Sequence, residues 1–421
     1  MRVPAAFLLA LALAACTTPQ APAGRWVAIW AASQQIPEER NALEPDDYTD
    51  ATLRQYVRVT RGAKLLRLRV SNAFGTEPLH ITAATIALGA PGSPRVQAQT
   101  ITPLRFSGDR DVLIPAGADY LSDPVAFDAP AFSDIAVSLH FEHAPAQQTG
   151  HPGSRLTSFI GHGDLTAAAD FAPAKEIAHW YHIAAIEAVS DAGAEAVAVI
   201  GDSITDGRGS TTDGNDRWPD QLSHRLQAAP ATRRLSVLNL GVGGNRLLQD
   251  GLGPNAVARF DRDVIAQAGV RYVIVLEGVN DLGTLSHDAT PEQHAELVAR
   301  MIGAYEQMIA RAHAHGVRIY GATILPYMGA ANYAPTPANE ADRQAVNAWI
   351  RAPGHFDAVI DFDAVMRDPT RPDALLPAYE TGDHLHPNVA GYGAMAGAVP
   401  LSLFQTPPPF QIAPLRADRA P

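Results

Sequence analysis

Ser203 and His386 are the residues of this chain whose types best fit a nucleophile and its base. A serine hydroxyl is hardly ever ionised alone, so it needs an imidazole within hydrogen-bond reach to take its proton. Histidine can accept and return that proton because its pKa lies near neutrality. Asp383 comes shortly before His386, close enough for its carboxylate to hold the other ring nitrogen. We therefore predict Ser203, Asp383 and His386 as catalytic residues for acyl transfer.

Acyl transfer also needs hydrogen-bond donors aimed at the oxygen that becomes negative in the tetrahedral intermediate. We predict an oxyanion hole made by the backbone N–H groups of Ser203 and Gly244 and the side-chain amide of Asn280. A glycine suits position 244 because a Cβ atom there would crowd an approaching substrate.

The segments that carry these residues each follow a predicted strand. After Glu195 the sequence alternates between strand and helix patterns, which predicts a parallel, doubly wound sheet with right-handed crossovers. The predicted strands cover residues 196–201, 235–240, 271–277, 317–324 and 357–361, and the predicted helices cover 217–228, 256–268, 291–315, 338–351 and 389–403. Because such sheets place their chemistry at the carboxyl ends of the strands, we expect the four segments to meet at one edge.

The preceding part of the chain has a different pattern. Short segments with period-two alternation and frequent turns run to about residue 143, which favours an antiparallel β-sandwich or jelly-roll-like domain. We place this domain at residues 26–190, the α/β domain at 191–405 and a C-terminal tail at 406–421. Residues 144–190, at the end of the first domain, hold several histidines that suit either an interdomain packing cluster or a wall of the substrate site, namely His151, His162, His179 and His182.

The N-terminus has the features of an export signal. Arg2 precedes an apolar run that is too short to span a bilayer. The run ends in Leu13-Ala14-Ala15-Cys16, which resembles a bacterial lipobox. We predict a lipoprotein signal peptide at 1–15, lipid attachment at Cys16 and a tether at 16–25; an ordinary secretory signal is the alternative. The expected location is the periplasmic face or cell surface, as an outer-membrane lipoprotein, with the membrane as a partner through the anchor.

The four sequence blocks resemble the SGNH (GDSL) hydrolase superfamily. The Ser, Gly, Asn and His of that superfamily fall in order on Ser203, Gly244, Asn280 and His386, and its Asp falls on Asp383. Flanking segments resemble its XynE-like branch of secreted esterases and acylhydrolases, among them 71–75, 121–124, 217–220, 259–263 and 359–363. The resemblance implies a flavodoxin-like three-layer α/β/α domain, a serine esterase mechanism through an acyl-enzyme, and no metal or organic cofactor.

Other chemistries fit the residues less well. The glycines from 241 to 244 lack the third glycine of a dinucleotide fingerprint, since residue 246 is Arg. Thr205 breaks the Gly-x-Ser-x-Gly elbow of α/β-hydrolases. Asp383, His384 and His386 give too little support for a metal site. The net charge of −12 and the lack of a basic run argue against a nucleic-acid partner.

The substrate is less constrained than the reaction. The expected substrate is an acetylated polysaccharide or another short-chain ester. The alternatives are a lipase or lysophospholipase-type acylhydrolase, and a non-catalytic carbohydrate-binding surface lipoprotein. Trp218 and His384 are candidate substrate-binding residues, although Trp218 equally suits the core. Asp202 and Asp206 are expected to act as turn and cap residues, and Asp281 to hold backbone.

Overall fold

The computed structural model describes residues 24–171, 173–191 and 193–405. The predicted signal peptide, Cys16, most of the tether and the C-terminal tail lie outside the described residues, so they stay predictions. Within the described ranges, no helix combines the length and apolar character needed to cross a membrane.

The first half of the chain is built from short strands. They are β1 (Arg25–Ala31), β2 (Ala51–Arg58), β3 (Ala63–Ser71), β4 (Leu79–Ile81), β5 (Ala83–Leu88), β6 (Thr102–Pro103), β7 (Val112–Ile114), β8 (Asp119–Leu121), β9 (Val125–Ala129), β10 (Asp134–Phe141), β11 (Gly150–His151), β12 (Ser158–His162), β13 (Lys175–Ile177), β14 (Trp180–Tyr181) and β15 (Ile183–Ser190).

Strands and helices alternate in the second half. The strands are β16 (Glu195–Gly201), β17 (Leu235–Gly241), β18 (Val270–Leu276), β19 (Arg318–Ala322), β20 (Ala358–Ile360), β21 (Arg367–Asp368) and β22 (Arg371–Leu375). The helices are α1 (Ser203–Asp206), α2 (Trp218–Ala228), α3 (Ala256–Phe260), α4 (Val279–Gly283), α5 (Pro291–Ala314), α6 (Pro337–Arg351), α7 (Phe362–Met366) and α8 (Val389–Ala398).

The antiparallel half contains two main sheets that share one apolar core. One sheet has the order β1-β15-β3-β8, with β9 also paired to β3, and the other has the order β13-β12-β2-β10-β5-β6. Strand β3 shows the cause of this packing, because Leu66, Leu68 and Val70 are buried while the residues between them are less so. Buried side chains of both sheets fill the space between them. The predicted antiparallel sandwich-like fold is confirmed.

The second half contains a parallel five-stranded sheet of order β17-β16-β18-β19-β20. Numbered along the chain, this is the 2-1-3-4-5 order of flavodoxin-like folds. Strand β16 reads as a continuous apolar run because both of its faces are buried. Helices α2 and α8 pack together, so they lie on the same face of this sheet. The predicted α/β fold class is confirmed.

Two predicted helices are shorter than expected. The helix predicted at 256–268 ends at Phe260 and continues as a π-helical turn, Asp261–Ile265. The helix predicted at 389–403 ends at Ala398, because Pro400 has no N–H group to continue it, and a 3-10 turn follows.

The two halves pack along β1 and β17. Ser236 Oγ donates to the carbonyl of Ala28 over 2.6 Å, and the Ala28 N–H donates to the Ala268 carbonyl over 2.8 Å. Strand β1 thus packs against β17, the edge strand of the parallel sheet, and Thr60 Oγ1 accepts the N–H of Val237 on β17 over 3.1 Å. The domain boundaries at 190 and 405 stay predictions.

Candidate active site

Ser203 is the first residue of α1 and follows β16 directly. Asp202 caps this short helix, since its Oδ1 accepts the N–H of Ile204 over 2.8 Å. Gly201 has no room for a side chain, because a Cβ atom there would lie 2.2 Å from Thr205 Oγ1. The turn is therefore tight, and it presents Ser203 at the carboxyl end of the central strand β16.

Ser203, His386 and Asp383 form a continuous hydrogen-bonded chain. The Oγ of Ser203 lies 2.8 Å from His386 Nε2, and His386 Nδ1 lies 2.7 Å from Asp383 Oδ2. The other oxygen of Asp383 accepts the backbone N–H groups of Leu385 and His386 over 3.0 and 2.8 Å. The sequence prediction that these three side chains meet agrees with this geometry, and their catalytic roles stay predictions.

The electrostatics of this chain suit a neutral base held by an ionised acid. Partial burial opposes ionisation of Asp383, but the hydrogen bonds from His386 outweigh it and lower the pKa of Asp383 to about 2. Burial lowers the pKa of His386, Asp383 raises it, and the nearby Arg208 and Arg155 lower it again, with a net decrease. His386 is therefore unprotonated at neutral pH and can accept the Ser203 proton.

The predicted oxyanion donors line the same cavity as Ser203. Gly244 has a φ of +67°, a left-handed conformation that glycine adopts without strain, so backbone geometry requires glycine here. Among the described residues, no acceptor meets the main-chain N–H of Ser203 or Gly244. Both N–H groups are thus available for a ligand.

Asn280 is held on both sides of its amide. Its Nδ2 donates to the Asn245 carbonyl over 2.7 Å, and its Oδ1 accepts a hydrogen bond from the hydroxyl of Tyr333. An amide nitrogen carries two hydrogens, so one remains for the cavity. Burial, followed by the charges of Asp202 and other neighbours, raises the pKa of Tyr333 to about 12, which keeps its hydroxyl a donor.

Sequence reasoning missed Tyr333. It lies in the loop between β19 and α6, within a stretch that has no strand or helix periodicity. Its ring packs over Gly283, where an added Cβ atom would lie 2.5 Å from Tyr333 Cγ. No local pattern predicts this contact, because it depends on how a long loop returns across α4.

Buried polar groups fix the loops behind the cavity. Asp281 accepts the N–H groups of Leu247 and Leu248 over 2.8 and 3.0 Å, as expected of a residue that holds backbone. Arg259, which is fully buried, donates to Asn245 Oδ1 over 2.8 Å and to the Gly201 carbonyl over 3.1 Å. The Ser203, Gly244 and Asn280 segments are thus joined beneath the surface of the site.

The cavity above Ser203 has a volume of about 510 Å³ and is walled by both halves of the chain. The antiparallel half supplies mostly polar side chains, among them Gln35, Glu38, Arg40, Asn41, Arg155 and His179. The α/β half supplies Arg208, Leu252, Asn332 and Tyr333 around the residues already described. A single domain would leave this site without one wall.

A buried contact between a histidine and a carboxylate joins the two walls. His151 Nε2 lies 3.0 Å from Asp206 Oδ1, each side chain is 3% exposed, and His151 Nδ1 lies 2.9 Å from the Ser33 carbonyl. Asp206 thus braces the nucleophile helix across the domain interface. Three more histidines were predicted to pack between the domains or to line the site. His179 lines the cavity, His182 is fully buried beside Tyr48, and His162 is exposed.

Trp218 and His384 do not lie among the residues that line the cavity. Trp218 is fully buried in the core of the α/β half, with its ring 5.2 Å from that of Phe362. The core interpretation of Trp218 fits these contacts, and a direct substrate contact does not. His384 points to Glu380, with Nδ1 2.8 Å from the carboxylate, and its side chain is 54% exposed. Over the described ranges, no cluster of three or more His, Cys, Asp or Glu is arranged to hold a metal ion.

Comparison with known proteins places the α/β half in a family. The model of the GDSL-like Lipase/Acylhydrolase family matches residues 199–394. No curated protein matches the chain. Among solved structures, an acetylxylan esterase from Geobacillus stearothermophilus is 22% identical and has a TM-score of 0.37, with 51% of this chain and 95% of that chain covered. A GDSL-like lipase from Bacteroides thetaiotaomicron is 19% identical and has a TM-score of 0.35, with 50% and 87% covered.

The matched residues run from the end of β16 into α8 and include every residue of the Ser203, Asn280 and His386 segments. Residues 199–394 are therefore a GDSL-like lipase/acylhydrolase domain of the SGNH superfamily, an ester hydrolase domain.

Proposed function

We propose that the chain hydrolyses carboxylic esters through an acyl-enzyme on Ser203. Ser203 Oγ attacks the carbonyl carbon while its proton passes to His386 Nε2, and Asp383 stabilises the resulting imidazolium. The oxyanion lies against the N–H groups of Ser203 and Gly244 and the amide of Asn280. The alcohol leaves with the proton from His386. Water then gives a proton to His386 and attacks the acyl carbon, and the carboxylic acid is released as Ser203 Oγ regains its proton. The continuous Ser203–His386–Asp383 hydrogen bonding carries this proposal.

We further propose that the chain is a carbohydrate O-acetylesterase or a short-chain acyl esterase, in keeping with the resemblance to the XynE-like branch. The charged and amide side chains around the cavity support this, because they match the hydroxyl groups of a sugar better than an alkyl chain. Leu252 is the exposed apolar side chain beside Gly244, where the acyl group would lie. One such side chain suits a short acyl group.

Two alternative functions predict different experimental results. A lipase or lysophospholipase-type acylhydrolase would prefer long acyl chains. A non-catalytic carbohydrate-binding surface lipoprotein would bind glycans without turnover. The available hydroxyl–imidazole pair at the cavity favours catalysis over the second alternative.

Anchoring through a lipid on Cys16 remains part of the proposal. It rests on the lipobox-like segment alone and would put the enzyme on the periplasmic face or cell surface. Mass spectrometry of the N-terminal peptide from a bacterial membrane fraction tests it: a diacylglyceryl-modified Cys16 is expected, and an unmodified peptide that begins elsewhere contradicts it.

The preference of the enzyme for acyl groups of different length tests the substrate class. A series of 4-nitrophenyl esters from acetate to dodecanoate, assayed beside an acetylated xylan, should give the highest kcat/KM for acetate together with acetate release from the polymer. Preference for the long esters would contradict the carbohydrate assignment and favour the lipase alternative.

A further inference from the structure

We propose that the alcohol part of the natural ester carries a negative charge, as an acidic sugar does, and that Arg155 and Arg208 bind it. This inference rests on the proposed ester hydrolysis at Ser203. It names the class of sugar that the site selects, an anionic one rather than a neutral one.

Arg155 and Arg208 line the cavity together with His386. Neither guanidinium forms an ion pair with any residue in the described part of the chain. The Nε of Arg155 is buried and has no hydrogen-bond partner there. A buried donor without a partner costs free energy, and a ligand oxygen would remove that cost. The two side chains are thus available to a ligand.

The acidic groups of the cavity are already engaged. Asp206 is paired with His151 over 3.0 Å. Glu38 accepts the amide of Asn41 over 2.7 Å and lies 4.0 Å from Arg40. Arg155 and Arg208 are therefore left without a carboxylate partner at this cavity, although the whole chain has a net charge of −12. In so acidic a chain, two guanidinium groups without a carboxylate partner in one cavity point to a ligand of opposite charge.

The position of the arginines relative to His386 indicates which part of the ester they face. His386 gives its proton to the leaving alcohol, so groups beside the imidazole lie on the alcohol side of the scissile bond. Arg208 and Arg155 are both close enough to lower the pKa of His386. Gly244 and Asn280 hold the carbonyl oxygen instead. The charge of the substrate should accordingly reside on the sugar and not on the acyl group.

A guanidinium binds a planar carboxylate through parallel N–H groups, and it binds a sulfate in a similar way. The shared chemistry is an oxyanion on the sugar, which a uronic acid or a sulfated sugar can supply. Amide and imidazole groups on the same wall, at Gln35, Asn41 and His179, can serve the hydroxyl groups of the ring.

Matched substrates test this inference. The probes are mono-O-acetylated methyl glucoside, the corresponding methyl glucuronide and the corresponding glucoside 6-sulfate, with 4-nitrophenyl acetate as a sugar-free ester. The wild-type enzyme should hydrolyse an anionic sugar with a kcat/KM at least about tenfold above that of the neutral one, the scale of one charge-assisted contact. The preferred anionic probe identifies carboxylate or sulfate as the source of the charge.

Variants assign the preference to the two arginines. Arg155→Met and Arg208→Gln should each reduce the anionic-to-neutral ratio by about tenfold, and Arg208 is exposed, so its replacement does not threaten folding. Arg300→Gln, an exposed arginine on α5, is the matched control and should leave the ratio unchanged. Salt at about 0.5 M should reduce the ratio for the wild-type enzyme, because it screens the attraction.

The failures are distinguishable. Equal rates on neutral and anionic sugars, with normal hydrolysis of 4-nitrophenyl acetate, would overturn the charge inference and leave the ester hydrolysis standing. An anionic preference that survives both arginine variants would also overturn it. Lack of turnover of all four esters by the folded enzyme would overturn the proposed function and this inference with it.

Discussion

The hydroxyl of Tyr333 donates a hydrogen bond to the side-chain oxygen of Asn280. This bond fixes which end of the Asn280 amide faces the cavity, because it engages the oxygen and leaves a nitrogen-bound hydrogen for the ligand. The loop that carries Tyr333 is thereby coupled to the predicted oxyanion hole. Tyr333 is a positioning residue, which acts on the reacting atoms through Asn280.

Replacing Tyr333 with Phe should lower kcat by about tenfold, with little change in KM for 4-nitrophenyl acetate. The amide of Asn280 loses its fixed orientation, and oxyanion donors matter mainly in the transition state. Steady-state kinetics of Tyr333→Phe and of Asn280→Ala make the comparison, and the Asn280 variant should lose about 10²–10³ in kcat.

The control for this substitution is Tyr120→Phe, on the exposed strand β8. It should leave kcat unchanged. A Tyr333→Phe enzyme with wild-type kcat, or one whose entire loss is in KM, would argue against a positioning role.

The acid limb of the pH–rate profile reports the protonation of His386. The enzyme needs the neutral imidazole, so kcat/KM should rise with pH through the pKa of His386 and then level off. Burial lowers that pKa from 6.5, and the nearby cations lower it further, so the midpoint should lie below 6.5. Hydrolysis of 4-nitrophenyl acetate from about pH 4 to pH 8 measures it, since this substrate does not titrate there.

Replacing Arg208 with Gln should move the same midpoint upward, because a cation that disfavours the imidazolium is gone. Arg300→Gln should not move it. A wild-type midpoint above 6.5, or a midpoint that falls in Arg208→Gln, would contradict the assignment of this limb to His386.

Asp202 should make the folded state less stable as pH rises. Burial raises its pKa above the usual 3.8, and the nearby carboxylates of Asp281 and Asp206 add to the effect. The folded state therefore keeps a proton that the unfolded chain has lost, and stability falls as pH increases from the unfolded pKa to the folded one. Asp202→Asn removes this loss and can still cap α1 through its side-chain oxygen.

Thermal melts of Asp202→Asn should match the wild-type protein at about pH 4 and exceed it by several degrees at about pH 8. Asp109→Asn, at an exposed turn, should show no such pH-dependent difference. A variant that is less stable than the wild-type protein at pH 8 would contradict the raised pKa of Asp202.

Gly153 tests whether the antiparallel half holds the nucleophile helix in place. A Cβ atom at Gly153 would lie 1.8 Å from Asp206 Oδ2, and Asp206 is buried and paired with His151. Gly153→Ala should destabilise the protein by about 1–3 kcal/mol and lower kcat, since α1 carries both Ser203 and Asp206. Chemical denaturation and steady-state kinetics measure the two effects.

Gly303→Ala is the matched control, because an added Cβ atom on α5 meets open space there. It should stabilise the protein by about 0.5–1 kcal/mol, as alanine does within a helix, and leave kcat unchanged. Full activity and wild-type stability in Gly153→Ala would show that the contact between the two halves does not support the site.

The sequence predicts the parts of this site in which a reactive residue type stands just after a segment with strand periodicity. Ser203, Gly244 and Asn280 follow β16, β17 and β18, and the parallel sheet brings these strand ends together. His386 comes well after β20, beyond α7 and the β21–β22 hairpin, so strand periodicity alone does not place it in the site. Sequence reasoning could not find Tyr333, because it reaches Asn280 from a loop without periodicity. The role of Asp206 was only partly predicted, since its partner His151 comes from the other half of the chain.

The central claim is that Ser203 becomes acylated. Intact-mass spectrometry of the enzyme after reaction with a 4-nitrophenyl alkylphosphonate, followed by peptide mapping, tests it most directly. We expect one adduct per chain, on Ser203, with parallel loss of esterase activity, and we expect neither adduct nor activity in Ser203→Ala. Full esterase activity in Ser203→Ala, or inactivation with the adduct on another residue, would contradict the mechanism.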